Sequence, residues 1–206
     1  MIQEELARKL LEIRAFVFRP EQFFTWTSGI QSPVYCDNRL ILSYPDIRNL
    51  VVEGFLEKMQ QHYPEVDTVA GVATAGIPYA AMVAQKKNLP MVYVRTSAKG
   101  HGKENKIEGY LPAHHRVLIF EDLISLGGSS LNVAQTLREN GNTVLGVLAI
   151  FSYELPPAVE SFRKAQVPYF ILTQFETLIQ EAIQLGTLRE QDRQIIEDWR
   201  KTIRLI

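Results

Sequence analysis

The feature that most constrains the fold of this 206-residue chain is a strand–turn–helix unit at its centre. Four apolar residues without polar alternation, Val117–Phe120, have the pattern of a strand buried on both faces, as in a parallel sheet. The adjacent carboxylates Glu121 and Asp122 stand at the carboxyl end of this strand. A turn of small residues, 125–130, follows, and residues 131–137 are apolar at helical spacing. The pattern predicts an α/β fold.

The turn in this unit has the composition of a phosphate cradle. Gly127 and Gly128 allow backbone N–H groups to approach an anion, the serine hydroxyls add donors, and the helix dipole favours negative charge. The turn is not a Walker loop, because no Lys follows Gly128, and it contains no G-x-G-x-x-G. Carboxylates repel a bare phosphate but accept hydrogen bonds from sugar hydroxyls. A phosphorylated ribose therefore suits the unit, and an ordinary capped βα turn is the alternative.

These residues resemble the phosphoribosyl diphosphate (PRPP) signature of the type I phosphoribosyltransferases. The resemblance implies that the acidic pair holds the ribose hydroxyls, with Asp122 also catalytic, and that the following loop holds the 5′-phosphate. The PRPP-binding residues that it implies here are Glu121, Asp122, Leu123, Ile124, Ser125, Leu126, Gly127, Gly128 and Ser129.

A second strand–turn–helix unit precedes the first. Asp67–Val72 reads as a strand, and a helix is predicted over Tyr79–Lys87. The small residues Thr74, Ala75 and Gly76 between them leave the backbone free to bind an anion. Such turns are as often structural as functional, but beside a PRPP signature this one resembles the family's pyrophosphate loop.

A polar, glycine-rich stretch, 96–109, follows the predicted strand Met91–Val94. A connection of this length is either a solvated loop or a functional lid. With Arg95 before it, its Lys99-Gly100-His101 run resembles the catalytic loop of the orotate phosphoribosyltransferases. The resemblance implies that Arg95, Lys99 and His101 contact the pyrophosphate end of PRPP and that Lys99 and His101 are catalytic.

The N-terminal stretch Phe23–Asp37 reads as two short strands around a Ser-Gly turn. Its aromatic residues either fill a core or stack on a planar base. Residues 24–39 resemble the hood of the orotate enzymes, which implies orotate contacts from Tyr35, Cys36 and Arg39, and from Ser125 of the PRPP loop. The chain departs from some family members, which carry basic residues or a smaller side chain, at Thr27, Ala75, Leu126 and Tyr153.

The resemblance further implies PRPP and orotate as substrates, Mg²⁺ as cofactor, and a homodimer in which each lid covers the partner's site. We expect PRPP itself to supply most of the oxygen ligands of Mg²⁺, and we expect no dedicated metal ligands in the protein. Two alternatives stay open: a purine phosphoribosyltransferase, and a non-catalytic regulator that senses PRPP and binds nucleic acid. The balance of 22 basic against 23 acidic residues favours neither nucleic acid nor an anionic membrane as partner.

At the level of the whole chain we predict one domain, 1–206, with a doubly wound, mainly parallel sheet. A core of approximately 41–175 would carry a hood formed by residues 1–40 and the C-terminal helices. The single cysteine excludes an intramolecular disulfide. The acidic N-terminus and the lack of a long apolar run predict a cytoplasmic protein. The histidines outside the lid are expected at the surface, without a metal: His62, His114 and His115.

Overall fold

The computed structural model describes residues 2–26, 28–95 and 106–203. The strands are β1 (Phe16–Phe18), β2 (Phe24–Thr25), β3 (Gln31–Ser32), β4 (Val34–Cys36), β5 (Thr68–Val72), β6 (Met91–Val94), β7 (Ile107–Glu108), β8 (Arg116–Ile124), β9 (Thr143–Ser152) and β10 (Tyr169–Thr173). The α-helices are α1 (Ile2–Glu12), α2 (Pro45–His62), α3 (Gly76–Lys87), α4 (Gly128–Glu139), α5 (Pro156–Ala165), α6 (Phe175–Gln184) and α7 (Arg193–Thr202). Two 3₁₀ helices, Asn38–Ser43 and Glu190–Asp192, complete the described elements.

Six strands form the central sheet in the order β10-β9-β8-β5-β6-β7. All neighbouring pairs are parallel except β6 and β7, so the predicted mainly parallel α/β sheet is confirmed. From β5 the chain proceeds to β6 on one side and returns to β8 on the other. Such a reversal of strand order opens a crevice at the carboxyl ends of the strands, here those of β5 and β8.

The alternation of side chains along β8 explains why the sheet is covered on both faces. Leu118 and Phe120 pack on one face, in a cluster shared with α1, α2, α3 and α6. Val117 and Ile119 pack on the other face, against residues of α4 and α5. Because successive side chains of a strand point to opposite faces, an unbroken apolar run is what a doubly covered strand requires.

The N-terminal residues form two small antiparallel ribbons. Pairing of β2 with β3 confirms the hairpin predicted around the Ser-Gly turn. Pairing of β1 with β4 was not predicted from the sequence. The C-terminal helices hold these ribbons in place: the Trp199 indole N–H donates to the Gln31 carbonyl at 2.7 Å. Helix α1 is hydrogen-bonded to the central sheet, because the Thr173 hydroxyl at the end of β10 donates to the carbonyl of Gln3 at 3.0 Å.

Some predicted boundaries differ from those observed. β8 runs on to Ile124, so the acidic pair lies within the strand, because β9 continues to pair with it beyond Phe120. Helix α3 begins at Gly76, three residues before the predicted start at Tyr79. His115 is half-buried and its Nδ1 lies 2.8 Å from the Thr68 hydroxyl, a correction to its expected surface position.

The expected surface position of the two remaining histidines outside the lid is confirmed. His62 and His114 are exposed, and the His62 ring stacks on Phe170 at 3.9 Å. In the ranges that the structure describes, no helix is both long enough and apolar enough to cross a membrane.

Candidate active site

A cleft of about 750 Å³ lies at the carboxyl ends of β5 and β8. Four parts of the chain line it. The hood contributes Thr25, Trp26, Ser28, Tyr35, Cys36, Asp37 and Arg39. The end of β5 and the turn after it contribute Val72, Ala73, Thr74 and Ala75. The end of β8, the following loop and the start of α4 contribute Glu121, Asp122, Leu123, Ser125, Leu126 and Ser129, and Tyr153 follows β9. The cleft therefore brings together residues from the predicted hood, the turn after β5 and the PRPP loop.

The acidic pair forms one wall of the cleft. Glu121 is only 5% exposed; its carboxylate accepts from the Ser130 hydroxyl and from the backbone N–H of Asp122, both at 3.1 Å. Burial raises the pKa of Glu121 well above its usual range, and the neighbouring Asp122 carboxylate adds to this effect. Burial also raises the pKa of Asp122, although Asp122 stays partly open to the cleft. Glu121 therefore keeps a proton over part of the pH range in which a free carboxyl group is ionised.

The loop after β8 exposes backbone donors. Gly127 adopts a left-handed conformation, φ 81°, directly before the first turn of α4, a position that favours glycine. A Cβ on Gly128 would meet no atom within 4 Å, so the backbone there is open to a ligand. The N–H groups of the first helical turn lack partners within the helix and attract anions. Ile124, by contrast, is 1% exposed and belongs to the core.

The turn after β5 lies directly on the strand that carries the acidic pair. Thr74 and Ala75 line the cleft, whereas Gly76 is buried behind them. A Cβ on Gly76 would lie 2.3 Å from the carbonyl oxygen of Phe120, so only glycine fits there. The Ala73–Thr74 peptide bond is cis.

The hood supplies aromatic and polar groups. Tyr35 is 39% exposed, and its ring lies 5.4 Å from that of Phe24. The Trp26 ring lies 4.7 Å from that of Tyr153, and the indole N–H donates to the Val34 carbonyl at 3.2 Å. Cys36 reaches the cleft but is 7% exposed, and burial raises the pKa of its thiol. Trp26 and Tyr35 therefore line the cleft, and Trp26 also packs on the buried Tyr153; stacking of the hood aromatic residues on a planar base stays a prediction.

Sequence reasoning missed Asn38. Its side chain is buried, and its amide nitrogen donates to the Asp122 carbonyl at 2.8 Å. The amide oxygen accepts from the Cys36 thiol at 3.2 Å, and the backbone carbonyl accepts from the Tyr79 hydroxyl at 3.4 Å. Nothing in the local pattern marks this residue, because its partners lie up to 84 positions away.

Of the three residues predicted from the resemblance to the catalytic loop, the structure describes only Arg95. Arg95 does not line the cleft, and its guanidinium lies 3.6 Å from the Glu108 carboxylate. Lys99 and His101 lie outside the described residues. The proposed roles of these residues remain predictions.

Curated relatives share this chain's sequence over nearly its whole length. An orotate phosphoribosyltransferase of Halalkalibacterium halodurans is 50% identical over 200 residues, which cover 97% of this chain and 95% of the relative. The chain belongs to the orotate phosphoribosyltransferase family. The Bacillus subtilis member of the family is 46% identical, over 98% of this chain and 93% of its own length. A search of protein-family models returned no match.

Solved structures agree with this assignment. The orotate phosphoribosyltransferase of Aeropyrum pernix is 31% identical, with a TM-score of 0.77, covering 88% of this chain and 98% of its own. The UMP synthase of Leishmania donovani has a TM-score of 0.82 at 26% identity and covers 98% of this chain, which spans 42% of that longer protein. An adenine phosphoribosyltransferase of Trypanosoma brucei has a TM-score of 0.60 at 17% identity, covers 82% of this chain and 80% of its own, and shows the shared fold alone. The comparisons therefore favour the orotate family over the purine alternative.

Proposed function

We propose that this protein transfers ribose 5-phosphate from PRPP to orotate, giving orotidine 5′-monophosphate and pyrophosphate in pyrimidine (UMP) biosynthesis. The observation that carries the proposal is the convergence of an acidic pair, a glycine-containing helix N-terminus and an aromatic hood in one cleft. The family relatives carry the name of this activity.

Each part of PRPP has a matching part of the cleft. The loop 125–129 and the first turn of α4 offer hydroxyl and backbone donors to the 5′-phosphate. Glu121 and Asp122 accept hydrogen bonds from the ribose hydroxyls. The backbone at 74–76 offers donors to the pyrophosphate, and the hood beside Tyr35 receives the planar base.

The reaction breaks the bond between the anomeric carbon and the pyrophosphate oxygen and forms a bond from that carbon to a ring nitrogen of orotate, whose N–H proton is released to the departing pyrophosphate or to water. The ribose passes through a state of oxocarbenium character, as in glycoside cleavage. The carboxylate of Asp122 lies where this positive charge develops and stabilises it. The family resemblance assigns Arg95, Lys99 and His101 to the departing pyrophosphate, with His101 as the candidate proton donor.

Mg²⁺ is proposed as the cofactor, held mainly by PRPP oxygens. Within the described ranges, no group of three or more His, Cys, Asp or Glu side chains is arranged to hold a metal ion. The acidic pair still offers the oxygen ligands that this hard cation prefers, so the cleft accepts a metal that arrives with the substrate. When bound, Mg²⁺ neutralises charge on the pyrophosphate.

The test follows orotate absorbance with PRPP and Mg²⁺, with and without EDTA. We expect loss of orotate that requires PRPP and stops when EDTA is added. A folded protein that consumes no orotate would refute the proposal. Parallel reactions with adenine, hypoxanthine and xanthine separate the alternatives, since turnover of a purine alone would identify a purine enzyme.

A further inference from the structure

The cleft presents an electrostatic problem for an anionic base. Its described lining contains the carboxyl groups of Asp37, Glu121 and Asp122 but one cationic side chain, that of Arg39. Orotate carries a carboxylate, and an ionised carboxylate removed from water without a partner is strongly disfavoured. Ala75 and Tyr153, where some family members carry basic residues, line the cleft without a positive charge.

Arg39 is presented in the geometry that a carboxylate requires. Its Nε and Nη2 atoms donate to the two oxygens of Asp37 at 2.6 and 2.8 Å, and its backbone N–H donates to Asp37 at 3.2 Å. A guanidinium has five N–H donors, so three remain, including both on Nη1. The side chain is 65% exposed, which leaves these donors accessible. Hydrogen bonds from Arg39 lower the pKa of Asp37, so the pair stays ionised at neutral pH.

Arg39 belongs to the hood side of the cleft, where the proposed function places the pyrimidine base. It is the second residue of the 3₁₀ helix Asn38–Ser43, which follows β4, the strand that carries Tyr35. Tyr35 and Asp122 line the same cleft as Arg39. The phosphate end, by contrast, is built from backbone and hydroxyl donors around Ser129. A cation beside an aromatic side chain suits a planar ring that bears a carboxylate.

We propose that Arg39 determines specificity by binding the carboxylate of the pyrimidine, and that Asp37 is the positioning residue that fixes the plane of its guanidinium. The inference rests on the proposed function, because it assumes a carboxylated pyrimidine as the acceptor.

The test compares the wild-type protein with Arg39→Gln, measuring KM for orotate and PRPP separately and the inhibition constant of uracil, which has the same ring without the carboxylate. Loss of charged hydrogen bonds predicts a rise of about 10- to 100-fold in KM for orotate. KM for PRPP and the inhibition constant of uracil against orotate should change by less than about threefold. Arg39→Lys should recover part of the loss, because it restores the charge but not the planar fork.

Arg163→Gln is the matched control. Arg163 forms the same two-point pair, with Glu160 at 2.8 Å for both bonds, and is 72% exposed on α5, outside the cleft lining. This variant should match the wild type in all three constants. Asp37→Asn should raise KM for orotate by less than Arg39→Gln does, with the uracil constant unchanged.

Several results would overturn the inference. An unchanged KM for orotate in Arg39→Gln would remove Arg39 from base recognition. An equal rise in KM for PRPP would assign it to a phosphate group, and an equal rise in the uracil constant would indicate general disruption of the cleft. A wild-type protein without orotate turnover would instead refute the proposed function, so the two failures are distinguishable.

Discussion

The contact between Gly76 and β8 allows a quantitative prediction for Gly76→Ala. The added Cβ would lie 2.3 Å from the Phe120 carbonyl oxygen and 3.3 Å from the Cα of Glu121. Ordinary contacts begin at 3.4 Å, so the turn and the strand must separate by about 1 Å. Both neighbours are backbone atoms, so no side-chain rotation relieves the clash.

This displacement should affect catalysis more than folding. Overpacking of this kind costs about 1–3 kcal/mol of unfolding free energy, which for a chain of this size lowers Tm by roughly 2–12 °C. In the proposed function the turn binds the pyrophosphate and the strand carries the acidic pair that binds the ribose, so the same shift would misplace both parts of PRPP. A misplacement of about 1 Å in an active site reduces kcat/KM by about 100-fold.

Gly146→Ala is the control. Its Cβ would lie 2.2 Å from the Tyr63 hydroxyl and 2.7 Å from the Pro168 carbonyl oxygen, in β9 and away from the cleft lining. We expect it to lower Tm without changing kcat/KM, measured by calorimetry and orotate turnover. Equal losses of activity in the two variants, or a Gly76→Ala enzyme within twofold of the wild type, would refute the reasoning.

Further predictions concern the acidic pair, the lid and two buried side chains. Because burial raises the pKa of Glu121, ionisation of this side chain opposes folding at pH values above about 4.5. Glu121→Gln should therefore raise Tm more at pH 8 than at pH 5, and an equal rise in Tm at both pH values in calorimetry would contradict this. If the lid acts across a dimer, an equal mixture of inactive Lys99→Ala and Asp122→Ala subunits should recover about one quarter of the wild-type sites after subunit exchange, because half of the dimers are mixed and each mixed dimer has one intact site. No recovery of activity would show that each lid acts on the site of its own subunit. The Tyr63 hydroxyl is buried with no hydrogen-bond partner in the described ranges, and burial raises its pKa to about 12. Tyr63→Phe should therefore leave Tm unchanged or raise it, and a fall of more than about 1 kcal/mol in the free energy of unfolding would show that the hydroxyl has a hydrogen-bond partner. The buried thiol of Cys36, whose pKa burial raises, should react with iodoacetamide only as the protein unfolds in denaturant, and rapid labelling of the native protein would contradict its burial.

The sequence was sufficient for the elements whose pattern is local. The apolar run at 117–120 predicted a doubly covered strand, and the small residues at 125–130 predicted the turn before α4. The strand continued through the acidic pair to Ile124 because β9 pairs with it there, and such pairing leaves no mark in the local pattern. Sequence reasoning therefore misplaced a strand boundary that depends on a neighbouring strand, and it also placed the start of α3 three residues too late.

The same distinction applies to the candidate site. Residue type alone indicated the chemistry of the PRPP loop, through its carboxylates, glycines and hydroxyls. It also indicated the chemistry of the hood, through its aromatic side chains. Asn38 does not, since its role arises from contacts with Cys36, Tyr79 and Asp122 that only the folded chain creates. The Asp37–Arg39 pair was equally hidden, because a charged doublet two positions apart is common on protein surfaces.

The Asn38 amide has a thermodynamic consequence for how each substrate affects the binding of the other. The buried Asn38 side chain joins the segment that receives the base in the proposed function to the strand that receives the ribose. We therefore predict that binding of one substrate, by restricting the motion of this link, changes the affinity for the other, and any such coupling is reciprocal. The factor by which PRPP tightens orotate must equal the factor by which orotate tightens PRPP, and replacing Asn38 should bring both factors towards one.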